Sequence, residues 1–152
     1  ATLVAIGERE LAATQARFRA EAARVDPARP ALAVWTDIRR DHPRPGGLVA
    51  ATRRVVDSLA AFVTARGLAT LPAGERPTVA AAPAFDLGFA SMRASPPLEA
   101  TPVTSWFYLT DARADAPAAE QDAWLERFNH ASLANLAAHE AIPGHWLHAT
   151  YM

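Results

Sequence analysis

His139 and His145 lie six residues apart, and the residues between them oppose a continuous straight helix. The segment reads His139-Glu140-Ala141-Ile142-Pro143-Gly144-His145. A regular helix would turn about 600° over that interval and leave the two rings roughly 120° apart. Pro143 cannot donate to the carbonyl of His139, and its ring crowds that carbonyl. Gly144 can take φ > 0 at little cost. Two local folds follow. In one, the helix bulges or unwinds at Pro143-Gly144 and swings His145 back toward His139, as helix bulges at functional sites do. In the other, Ile142-Pro143-Gly144 ends one helix and His145 opens a further segment.

The residue types are those of a metal site. In the zinc-binding helix pattern H-E-x-x-H the two histidines sit about 40° apart on the wheel and meet one ion. The intervening Glu lies beside the activated water and acts as general base. Here the second His comes two positions late, so metal chelation by His139 and His145 requires the distorted form. The chain has no Cys, so a metal would take nitrogen and oxygen ligands.

Composition narrows the remaining classes. A chain of 152 residues can bury a core of its own. Its net charge of −1 gives no electrostatic case for nucleic acid or an anionic membrane. All fifteen basic residues are Arg, and they are scattered, not clustered. No apolar run approaches the roughly 18 residues of a membrane-spanning helix. No charged segment followed by an apolar one opens the chain in the manner of a signal peptide. The compartment stays open, since a mature secreted form would look the same. The serines lack the G-x-S-x-G context, and there is no phosphate-cradling Gly loop.

Periodicity predicts a helix over 3–25, ended by Asp26-Pro27 and Arg29-Pro30. A short helix over 32–40 and a loop at 42–47 follow. A long helix over 48–66 has Val55, Val56, Leu59, Phe62 and Val63 on its buried side, with Gly67 just past its end. Residues 78–82 and 103–110 read as strands, the second rich in aromatic and β-branched residues. The Pro-rich stretch 83–102 between them reads as irregular. Asp115-Ala116-Pro117 has the form of a helix start, with Asp as cap. Residues 120–130 are amphipathic through Trp124, Leu125 and Phe128, and a further helix from about Ser132 leads to His139. The fold class is α+β, mostly helical, with two short strands before a helix of active-site type. Residues 1–152 read as a single partial domain, helical over 1–70 and carrying the strands and the histidine motif over 71–152.

Other residues have competing roles. His130 and His42 read as a surface or capping residue and a loop residue. His145 and His148 are at i and i+3, so they can share a face. Trp106 and Tyr108 alternate to one face of a strand, where they either pack in the core or line a substrate cleft. Asp86, Asp111 and Asp115 read as turn and cap residues.

The seven residues from His139 to His145 resemble the H-E-A-x-P-G-H signature of the bacterial family catalogued as domain of unknown function 885, grouped with the gluzincin-type metallopeptidases. Further passages are similar: Thr78–Phe85, Phe89–Pro97, Trp106–Thr110, and the helix Ala123–Asn129 with Leu133 and Leu136. The resemblance implies that the chain is part of a larger metallopeptidase-like fold. His139 and His145 would be zinc ligands and Glu140 the general base. His148 and Tyr108 would contact substrate or support the ligands. A third ligand, a Glu in an E-G-W-A-like segment, is expected beyond Met152. Two positions depart from the family pattern. His148 stands where Gln is frequent, and Thr110 where Asn is common.

The expected function is therefore that of a zinc-dependent, peptidase-like hydrolase. Its substrate would be a peptide or another small amide. Water activated by the metal would attack the scissile carbonyl as its proton passes to Glu140. Two alternatives remain. One is a non-catalytic helical interaction module, or pseudo-enzyme fragment, in which the signature is structural. The other is a metal-binding protein without hydrolysis. With two imidazoles and no third ligand, the chain alone is expected to hold zinc weakly or not at all and to be inactive.

Overall fold

A computed structural model describes residues 2–96, 98–99 and 103–152. Pro97 and Pro102, at the end of the Pro-rich stretch, lie outside the described residues. The chain divides into two compact units, Ala1–Asp41 and His42–Met152. The architecture is α+β and mostly helical, with a small three-stranded sheet.

The first unit is a pair of helices. Helix α1 spans Leu3–Val25 and opens on Thr2, whose hydroxyl accepts from the Ala5 amide. The Asp26 carboxylate accepts from the Ala28 amide in the turn that follows. Helix α2, Ala31–Arg40, begins after Pro30. Phe18 of α1 and Trp35 of α2 meet edge to face at 6.5 Å, an arrangement that aromatic quadrupoles favour.

The second unit begins with helix α3, Leu48–Ala65. Its start is closed by a distant residue, because Asp111 accepts from the Leu48 amide at 3.2 Å. Its end is the turn expected at Gly67, which has φ 59°. There the Leu68 amide reaches the Val63 carbonyl and the Gly67 amide the Thr64 carbonyl, which is the Schellman pattern. The buried stripe of α3 is Leu48, Ala51, Thr52, Val56, Ala60 and Val63. Val55 and Leu59 are half-buried beside it, whereas Phe62, expected inside, is 51% exposed under the Arg66 guanidinium. A 3.6-residue period that buries 56, 60 and 63 turns position 62 to the flank.

Strands β1 (Thr78–Ala81), β2 (Ala90–Arg93) and β3 (Trp106–Leu109) lie in the order β1-β3-β2. β3 is parallel to β1 and antiparallel to β2. β2 falls inside the stretch read as irregular, so the sheet has one strand more than the two expected. Arg53 of α3 donates from Nε and Nη2 to the Val79 carbonyl, tying α3 to edge strand β1.

Helix α4, Ala118–Leu125, starts after Pro117. Asp115 does not cap it. That carboxylate pairs with Arg113 at 2.6 Å, and the guanidinium holds it below the usual carboxylate range. The amphipathic run 120–130 is not one helix. α4 ends at Leu125, a 3-10 turn covers Glu126–Phe128, and helix α5 (His130–Glu140) begins afresh. Asn129, 1% exposed, is its cap, accepting from the Ser132 amide and donating to the Glu126 carbonyl and the Ser132 hydroxyl. The last helix, α6, spans His145–Ala149.

One core unites this second unit. Val79, Phe107 and Leu109 on one face of the sheet join Val56 and Val63 of α3, Phe128, Leu133 and Ala137, and then Ala141, Ile142, Trp146 and Leu147. This core fixes where α5 ends and where α6 begins, and so where the histidines stand. No helix among the described residues is long and apolar enough to cross a membrane.

Candidate metal site at the α5–α6 junction

The chain does not pass from His139 to His145 as a bulged continuous helix. Helix α5 stops at Glu140, and α6 starts at His145. At the stop, the amides of both Ala141 and Ile142 point to the Ala137 carbonyl, at 2.9 and 3.2 Å. The final turn of α5 therefore widens. Ala141 leaves the helical region, with φ −109° and ψ −84°, and the Ile142-Pro143 peptide is cis. The Leu147 amide then reaches back to the Ala141 carbonyl at 3.3 Å, and the His148 amide to Gly144 at 3.0 Å.

Burial anchors this linker. Ala141 and Ile142 are 0% exposed, Trp146 2% and Leu147 5%. With these four inward, His139, Pro143, His145 and His148 are left exposed and Glu140 half-buried. The chain thus ends one helix and opens another, and still brings the two histidines together. Their rings stand edge to face, with centroids 4.6 Å apart and planes at 85°. Two imidazoles bound tetrahedrally to one zinc at about 2.0–2.1 Å would have centroids about 5 Å apart. The centroid separation of the pair is close to that value.

Gly144 serves this arrangement in a way that differs from the expectation. Its φ is −75°, not positive. What requires glycine is proximity. A β-carbon at this position would overlap the carbonyl oxygen and carbon of His139 and come within 2.5 Å of the Ala138 carbonyl oxygen. A Gly placed directly before the second His was the available signal, and its meaning lay in close packing, not in a left-handed φ.

The remaining candidates are placed as follows. Glu140 is the last residue of α5, adjacent to His139. His148 lies one turn beyond His145 on α6. Tyr108 stacks on Trp106, centroids 5.6 Å apart, and both alternate with the buried Phe107 and Leu109. Tyr108 thus faces away from the core that carries α5 and α6. His130 is the first residue of α5, next to the cap Asn129, and His42 sits in the loop before α3 with Nδ1 2.9 Å from the Pro43 carbonyl. Among the described residues no group of three His, Asp or Glu side chains is gathered to hold a metal. Sequence reasoning missed Asn129, although an Asn three residues before Ser132 is a helix-start signal.

Among curated proteins none matches. A solved structure from Shewanella oneidensis, described as "a putative lipoprotein of unknown function", shares the fold with a TM-score of 0.71 at 22% identity. The match covers 94% of this chain and 28% of that one, so the present residues span little more than a quarter of the relative's length. The family described as "Bacterial protein of unknown function (DUF885)" matches residues 1–152, and the chain belongs to that family.

Proposed function

We propose that these residues form the histidine half of a zinc-dependent hydrolase site, with a peptide or other amide as substrate. The observation that carries this reading is the edge-to-face pair of His139 and His145, 4.6 Å between centroids, on an exposed surface with a Glu next in sequence. Exposed imidazoles contribute little to a core, so the pair itself gains little from the packing that brings it together.

His139 and His145 would hold the ion through one ring nitrogen each. A zinc ion there supplies polarisation of a carbonyl oxygen and a lowered pKa for water in its coordination sphere. Glu140 takes the proton of the attacking water and passes it to the leaving amine. His148, one turn along α6, would contact a substrate bound over the pair. Tyr108, which alternates with the buried Phe107 and Leu109, is assigned no role in this chemistry. A catalytic zinc takes three protein ligands, so a third donor is required from outside the described residues. The length of the solved relative leaves room for one. Until that donor is supplied, zinc is held weakly.

The test uses a polypeptide extended to the length of that relative. Zinc is measured after dialysis, and a mixed peptide pool is searched by mass spectrometry for new termini. The expected result is one zinc per chain and cleavage. Glu140→Gln should keep the zinc and lose cleavage by about 10²–10⁴-fold. Cleavage undiminished in Glu140→Gln removes the general-base role. Absence of both zinc and cleavage leaves the helical interaction module.

A further inference from the structure

We propose that Gly144 is the positioning residue that sets the separation of the His139 and His145 imidazoles. Its negative φ shows that the position does not need glycine for a left-handed turn. The requirement is contact, because a β-carbon would collide with backbone atoms of His139 and Ala138. Those atoms belong to the last turns of α5 and cannot rotate aside as a flexible side chain would.

Neither partner in this contact is free to withdraw. α5 is held by Leu133 and Ala137, each 0% exposed, and the linker by Ala141 and Ile142, also 0%. α6 is held by Trp146 and Leu147 and by the Leu147 amide bond to Ala141. Gly144 is the cap residue of α6, and His145 follows it directly. A side chain at 144 therefore has to drive the start of α6 away from the end of α5, and His145 travels with it. The two rings come together because the backbones of 139 and 144 touch.

The metal-related consequence of this inference rests on the proposed function, but the positional claim does not. Two readouts separate them. In the metal-free chain, magnetisation transfer between the His139 and His145 ring protons is followed by NMR in the wild type, in Gly144→Ala, and in Gly88→Ala. The last adds the same methyl group where nothing lies within 4 Å. The ring-to-ring signal should be present in wild type and Gly88→Ala and lost in Gly144→Ala. If Gly144→Ala keeps the signal, the inference is overturned. If that variant unfolds, the comparison is repeated in trimethylamine oxide, which favours the compact state.

The second readout is Cu²⁺, a probe with high affinity for imidazole. Wild type should show hyperfine coupling to two nitrogens, a signature absent in His145→Ala. Gly144→Ala should bind about 10- to 100-fold more weakly and show one nitrogen. Two-nitrogen coupling and unchanged affinity in Gly144→Ala would also overturn the inference. A wild type without two-nitrogen binding, combined with loss of the ring signal in Gly144→Ala, defeats the metal reading and supports the positioning role.

Discussion

The imidazoles of His139 and His145 meet edge to face 4.6 Å apart, although five residues and a helix break separate them. The junction core produces that meeting, while the rings themselves stay exposed. The buried anchors and the exposed ring pair are thus different side chains, and mutation separates them.

Ile142→Ala removes a fully buried side chain from the junction. It should cost about 2–5 kcal/mol. His139→Ala and His145→Ala, at exposed positions, should stay within about 0.5 kcal/mol of wild type. Urea denaturation of the three variants checks this. A loss of several kcal/mol in either histidine variant would make the pair a packing device.

The buried face of α3 gives a second contrast. Val63 is 1% exposed and Phe62 51%. Val63→Ala should cost about 2 kcal/mol. Phe62→Ala, which loses only a flank and the Arg66 contact, should cost about 1 kcal/mol or less. The reverse order in thermal or urea unfolding would place the core on the other side of the helix.

Most helices were legible because their cues are local. The apolar spacing of α1 to α3 and the glycine past α3 act within a few residues. β2 was not legible, because Ala90-Ser91-Met92-Arg93 has no β-branched residue and no clear alternation. Its pairing with Trp106–Leu109 makes it a strand, a tertiary effect that outweighs propensity. The break before α5 was legible only to within a few residues, since the new helix was expected from about Ser132 and begins at His130. Its start is set earlier by the Asn129 side chain, which accepts from the Ser132 amide. At the site, the residue types and their misfit to a straight helix were readable. The contact of Gly144 with His139 was not, because it depends on which way the buried Ala141 and Ile142 turn the chain.

Asn129 is therefore a strong stability target. It is almost wholly buried and makes three hydrogen bonds at the start of α5. Asn129→Ala should cost about 2 kcal/mol or somewhat more, a lost cap plus buried partners left unpaired. Loss of hydrogen-exchange protection should begin at the first turn of α5. An effect below about 0.5 kcal/mol would show that the cap is dispensable.

Thr110 points the other way. Its hydroxyl is buried with no hydrogen-bond partner among the described residues. An unpaired buried hydroxyl costs roughly 1–3 kcal/mol. Thr110→Val, of similar shape, should leave the protein as stable or about 1 kcal/mol more so. Destabilisation of that size in urea would reveal a partner for the hydroxyl.

The most direct test of the central claim, that His139 and His145 act together on one metal ion, is a Zn²⁺ titration of the chain followed at the histidine ring nitrogens by NMR. The expected result is that both rings shift along one saturating curve, weak in affinity, while His42 and His130 do not follow it. In His145→Ala the His139 response should collapse. Independent responses of the two rings, or a His139 response unchanged in His145→Ala, would contradict it.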